Sequence, residues 1–186
     1  MSDTLTVEPA TGAGTVWYHT PEGGVLVPDD PYELSMASFP GRLALVANSF
    51  PDSVPFLDRF EEVLRAAHPE VEVFRHAKAN PSVVLTDEEV EVVRASADGV
   101  VTAYGHCGSC TSGTVRDAVK LARAGVPTVA LVTEVFADAA GVVARSSGMS
   151  AVPRVVLPHP VARTTPERMA EIARGCLADV VGLLRS

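Results

Sequence analysis

From residue 42 onward the chain alternates between two patterns of apolar and polar positions. Short apolar runs, LALVA (43–47), VEVF (71–74), GVVTAY (99–104), PTVALV (127–132) and RVVL (154–157), read as strands, and the unbroken ones suit burial on both faces. Between them lie longer stretches whose apolar residues recur every three or four positions, the stripe of a helix packed on one side. Ser53 is placed to cap the first, with Phe56, Leu57, Phe60, Val63 and Leu64 on its stripe. Thr86 followed by Glu89 is a capping-box signature that opens a helix through about Ser96. Helical period runs over 115–124 and stops at Gly125, and a weaker helical pattern covers 136–145. Thr165 with Pro166 opens a terminal helix to about Leu184.

Strands alternating with helices of ten or more residues predict βαβ units and a parallel sheet. Five strands in that rhythm predict an α/β fold, a flavodoxin-like doubly wound, mostly parallel five-stranded sheet, forming one domain over 41–186. Residues 1–40 are rich in Gly, Pro, Asp and Thr and keep no period, so an irregular N-terminal arm is expected there. A short strand at 24–27 is expected within it, and Trp17 and Tyr18 are expected to dock on the body or on a partner subunit. Ligands of such sheets sit beyond the carboxyl ends of the strands. Those ends carry Asn48 and Ser49, the segment YGHCGSCTSGT (104–114), Thr133 and Glu134, and Pro158 and His159.

Composition narrows the picture. The 186 residues are 47% hydrophobic and 20% charged, enough for one domain with a sizeable core, and with aromatics at 5% that core is expected to be mostly Val, Ala and Leu. The net charge of −8, with no block of Lys or Arg, argues against nucleic acid or an anionic membrane as partner. No apolar run approaches about 20 residues, so no spanning helix is expected. MSDTLTVEPATGAG lacks a basic n-region and an apolar h-region, so a cytoplasmic location is expected. Three cysteines there do not build a disulfide scaffold; their chemistry is expected to be redox, nucleophilic or metal-binding.

Cys107 and Cys110 form a C-x-x-C on the turn from the third strand into a helix. Gly105, Gly108 and Gly113 suggest a tight backbone with positive φ and close approach by a ligand. The hydroxyls of Ser109, Thr111, Ser112 and Thr114 can cap the helix or bind a substrate's polar groups. Amides at the helix start favour thiolate, giving an activated nucleophile and a second sulfur placed to resolve its adduct. Three readings compete. The pair could be half of a zinc site completed by His106, His159 or Cys176, although a second C-x-x-C is missing. The loop could bind phosphate, although it matches neither G-x-x-x-x-G-K-[ST] nor G-x-G-x-x-G. The cysteines could also be packed as small hydrophobes, the reading preferred for Cys176 on its apolar helix stripe.

The stretch ADGVVTAYGHCGSCTSGTVRDAVKLARAGVPTVALVTEVF, followed by VVLPHPVA, resembles the UGSC family, in which the position of Cys107 is cysteine or selenocysteine followed by Gly-Ser-Cys. More distantly it is similar to the selenoprotein B subunit of glycine, sarcosine and betaine reductases. The resemblance implies a nucleophile at Cys107 with Cys110 as resolving partner, and reductive cleavage of a carbon–nitrogen bond beside a carboxylate. The chain has cysteine where those reductases have selenocysteine. It also lacks their further cysteine and a self-processing segment that would supply a pyruvoyl carbonyl.

Around the pair, His159 is expected to polarise substrate or take the proton of Cys107, since histidine titrates near neutrality. Glu134 is the carboxylate candidate for a base or amine contact. Asn48, Ser49, His106, Gly108, Ser109, Thr111, Ser112 and Thr133 are expected on the substrate side. Arg116 and Asp117 are expected on a solvated first turn. The function expected is thiol-dependent chemistry on a small carboxylate-type metabolite, without a dedicated cofactor or metal. An external thiol or thioredoxin-like reductant would be the redox partner, and a homo-oligomer or partner subunit is open. The alternatives are a non-catalytic small-molecule or metal-binding subunit, and a metal-assisted hydrolase or lyase.

Overall fold

Five strands lie side by side in the order β2-β1-β3-β4-β5, and every neighbouring pair is parallel. They are β1 (Arg42–Ala47), β2 (Glu72–Ala77), β3 (Gly99–Gly105), β4 (Thr128–Thr133) and β5 (Arg154–Leu157). The computed structural model describes residues 28–39 and 41–185. The expected strand at 24–27 and the docking of Trp17 and Tyr18 lie outside them. This strand order is the flavodoxin-like one, and the sheet is wholly parallel where a mostly parallel one was expected.

Helices cover both faces. α1 (Ser53–Ala67) and α5 (Pro166–Arg185) pack on one side, while α2 (Asp87–Ser96), α3 (Gly108–Arg123) and α4 (Ala137–Ser146) pack on the other. Alternate strand residues supply the two cores, as the two-residue period requires. Leu43, Leu45, Val101, Ala103, Val129 and Leu131 meet Phe56, Phe60, Met169 and Ile172. On the opposite face Ala44, Val46 and Val100 meet Val90, Val93 and Leu121, and Ala130 and Val132 meet Val115, Ala118 and Ala140. Phe56 and Phe60 are fully buried, which stabilises the fold by about 1.5–3 kcal/mol each. Among the described residues no helix is long and apolar enough to cross a membrane.

Two helix starts depart from the sequence pattern. Ser53 does not cap α1. Asp52, at φ 67°, occupies the cap position without a side-chain bond into the helix, and its carboxylate instead accepts the N–H of Arg163 at 2.7 Å. The Ser53 hydroxyl is buried without a hydrogen-bond partner. The helix expected from residue 115 begins seven residues earlier, at Gly108, because its first two turns are built from small polar residues that carry no apolar period. Thr86 caps α2 as expected: its hydroxyl accepts the N–H of Glu89, whose carboxylate accepts the N–H of Thr86.

Residues 28–39 hold no helix or strand and are fastened across the body. The Tyr32 hydroxyl accepts the N–H of Thr128 at 2.8 Å, Asp30 pairs with Arg123, and Met36 packs against Gly99 and Leu184.

Candidate functional site

The first turn of α3 is closed by sulfur. Cys107 is the cap residue, with extended backbone, and its Sγ faces the N–H of Cys110 at 3.4 Å. In return, Cys110 Sγ accepts the N–H of Cys107 at 2.8 Å and of His106 at 3.2 Å. This reproduces a capping box with thiols in place of the usual hydroxyl and carboxylate. The two Sγ atoms are 2.7 Å apart.

The pair is electrostatically unequal. Burial pushes Cys107 upward, but hydrogen bonds from the Cys110 thiol and N–H and from Ser109 outweigh it, so its pKa falls below the ordinary thiol value. Cys107 is partly exposed, and Ser109 Oγ lies 3.6 Å from its sulfur. Cys110 is buried, and burial together with its bond to Cys107 pushes it up to about 11. Cys176 is buried on α5, where burial raises it to about 12, as expected of a packed cysteine.

Histidines meet above the turn. The rings of His106 and His159 lie 4.4 Å apart; Phe50 stacks on His106 at 5.4 Å, and Phe136 stands 6.3 Å from His159. His106 Nε2 accepts the N–H groups of Val161 and Ala162 at 3.2 and 3.3 Å, which fixes the ring under the segment after Pro160. Burial, and then the proximity of His159, lower the His106 pKa. His159 Nδ1 is 3.2 Å from Thr133 Oγ1, which in turn donates to the Gly105 carbonyl at 3.0 Å. Glu134 is exposed and accepts the backbone N–H of His159 at 3.2 Å, so its contact is with the loop and not with the ring.

Several residues expected on the substrate side turn inward. Asn48 is 2% exposed; its amide donates to the Tyr104 carbonyl at 2.8 Å and to Thr114 Oγ1 at 2.9 Å, and its oxygen accepts the N–H of Phe50 at 3.0 Å. It organises the loop after β1. The Ser49 hydroxyl donates to the Lys78 carbonyl. Thr111 is fully buried against Gly105, and its hydroxyl has no partner. Thr133 is fully buried between Gly105 and His159. Gly108 and Ser109 are exposed and Ser112 is half-buried, on the open side of the turn.

Asp117 is also misplaced by the sequence reading. With α3 beginning at 108 it lies in the third turn, 1% exposed, paired with Lys78, itself 4% exposed, while Arg116 is exposed as expected. Asp117 Oδ1 also accepts the N–H of Leu85 at 2.7 Å, which docks the segment 78–85 on α3. Desolvation raises the Asp117 pKa, and Lys78 opposes that rise. Glycine serves close approach here, not positive φ, which none of the three turn glycines adopts. A methyl on Gly113 would overlap the Pro81 carbonyl oxygen, and one on Gly105 would lie 2.7 Å from Thr111 Oγ1. Gly108 faces open space. Phe50, Lys78 and Phe136 were not singled out, although each lies just after a strand's carboxyl end, where topology brings loops together.

The model of the UGSC family matches residues 19–186 of this chain, a span that includes the whole sheet and the cysteine turn. The chain belongs to the UGSC family. No curated protein matches it. Among solved structures, this UGSC chain is similar to the flavodoxin-like domain of a Synechococcus protein, at 14% identity and a TM-score of 0.36. That match covers 77% of this chain and 97% of the other. Among the described residues, no three His, Cys, Asp or Glu side chains are grouped so as to hold a metal ion.

Proposed function

We propose that this UGSC protein is a thiol-dependent enzyme acting on a small carboxylate-type metabolite. Cys107 thiolate attacks a carbon beside the carboxylate; a carbon–sulfur bond forms and the leaving group departs with the electron pair of its old bond. Cys110, once deprotonated, attacks the Cys107 sulfur. The Cys107–Cys110 disulfide forms, the carbon–sulfur bond breaks with its electron pair staying on the substrate carbon, and that carbon is protonated as it leaves. The substrate is reduced by two electrons and the enzyme oxidised by two. An external dithiol of the thioredoxin kind restores both thiols by disulfide exchange.

The observation that carries this reading is the unequal sulfur pair, 2.7 Å apart, with the lowered, partly exposed thiol at Cys107 and the raised, buried one at Cys110. A nucleophile needs the first environment and a resolving thiol tolerates the second. His159, whose ring lies 4.4 Å from that of His106, and Glu134, which accepts the His159 backbone N–H, are the candidates for the proton transfers. The distant resemblance to the reductase subunits agrees with the bond type.

The test is intact-mass analysis of the reduced protein incubated with small carboxylates bearing an amino or alkylammonio group on the neighbouring carbon. The expected result is a mass increase confined to Cys107, followed by loss of two hydrogens as the disulfide forms. Absence of both adduct and disulfide across the panel, with bound ligand retained, would favour a binding subunit instead.

A further inference from the structure

We propose that Thr133 is a positioning residue that fixes His159 in its Nδ1–H tautomer, leaving Nε2 as the proton-transfer atom of the site. A threonine hydroxyl carries one hydrogen and two lone pairs. Thr133 Oγ1 lies 3.0 Å from the Gly105 carbonyl oxygen, which can only accept, so the hydroxyl hydrogen is committed there. His159 Nδ1, 3.2 Å from the same Oγ1, must then be the donor. Thr133 is fully buried, so water does not compete for the hydroxyl. Were Nδ1 unprotonated, either it or the Gly105 oxygen would face a lone pair at hydrogen-bond distance, leaving a polar group unsatisfied where water does not reach.

The neighbouring histidine is held differently. His106 Nε2 accepts two backbone N–H groups, so its hydrogen sits on Nδ1, and taking a second proton would break both bonds. His106 is therefore a neutral wall, stacked between Phe50 and His159. His159 can gain and lose a proton at Nε2 while keeping its bond to Thr133. The titratable groups that touch it are the His106 ring and, through the backbone, Glu134. Sequence reading had Thr133 binding substrate; its hydroxyl is spent on the histidine.

The purpose of that proton transfer rests on the thiol-enzyme reading, but the tautomer does not. The experiment is long-range proton–nitrogen correlation on the full-length ¹⁵N-labelled protein at neutral pH, with His159 assigned from the signals missing in His159→Gln. His159 is expected to show a protonated Nδ1 and an unprotonated Nε2. Thr133→Val should lose part of the Nδ1–H signal to the Nε2–H form, and Thr133→Ser should restore it. A wild-type His159 with its hydrogen on Nε2, or a Thr133→Val spectrum identical to wild type, overturns the proposal. If Thr133→Val does not fold, the wild-type and Thr133→Ser spectra still decide it. Failure of the thiol chemistry would appear separately, as an absent Cys107 adduct alongside unchanged histidine signals.

Discussion

Cys107 and Cys110 each take the other's backbone N–H on sulfur, yet only Cys107 is reached by solvent. Cys110 Sγ takes two N–H groups and Cys107 Sγ one, so burial of Cys110, rather than the N–H bonds of the turn, sets the two thiols apart. The Cys110 N–H that caps the helix is also one of the groups that lower the Cys107 pKa.

Cys107 should therefore alkylate first. Its lowered pKa means that thiolate accumulates at lower pH than for an ordinary cysteine, so the iodoacetamide rate should rise and level off earlier on the pH scale. Cys110, near 11, and Cys176, near 12, should stay unlabelled at neutral pH. Peptide mapping across a pH series checks this, and equal labelling of all three would contradict it.

Cys110→Ser should keep first-step reactivity and lose resolution. The Cys107 adduct should then accumulate under turnover, whereas the parent protein passes on to the disulfide. The variant also replaces a sulfur acceptor with a shorter oxygen, so the Cys107 pKa should shift, measurable by the same alkylation series.

His159→Ala should lower turnover by about 10²–10⁴-fold if Nε2 moves a proton in the reaction. Glu134→Gln retains an oxygen to accept the His159 N–H and should change loop geometry little. A comparable loss in Glu134→Gln alone would move the acid–base role from the histidine to the carboxylate.

The Lys78–Asp117 pair predicts a stability effect separate from the chemistry. Removing one partner leaves a buried charge without compensation, so Lys78→Met should cost about 3–5 kcal/mol in denaturant unfolding. Replacing both, as Lys78→Met with Asp117→Leu, should recover much of that loss. Additive losses in the double variant would contradict the pairing.

Gly113→Ala should destabilise by about 1–3 kcal/mol, since the new methyl meets a backbone carbonyl that cannot step aside. Gly108→Ala, facing open space, should be close to neutral in stability. Thermal unfolding of the two variants side by side tests whether the turn glycines differ as their surroundings do.

The sheet was legible because its inner strands, buried on both faces, need unbroken apolar runs, and LALVA falls wholly within β1. The capping box at Thr86 was legible because its two side chains lie three residues apart. The start of α3 was not, since Gly, Ser and Thr show no apolar stripe and sulfur is an unusual cap. Which way a polar side chain turns was equally hidden. Asn48, Thr111 and Thr133 are types that bind a ligand or a backbone group with the same atoms, and only the surrounding chain decides. Asp117 read as solvated because its partner stands 39 residues away.

Every residue of β3 is buried, and the strand lies at the middle of the sheet with β1 and β4 on either side. Its amides can exchange with deuterium only when large parts of the domain open, so protection there should approach that of global unfolding. Gly105, which ends this strand, lies directly before the His106–Cys107 turn. The Cys107 sulfur thus stands two residues beyond the strand expected to exchange most slowly. Its accessibility is a standing property of the folded state and needs no opening event.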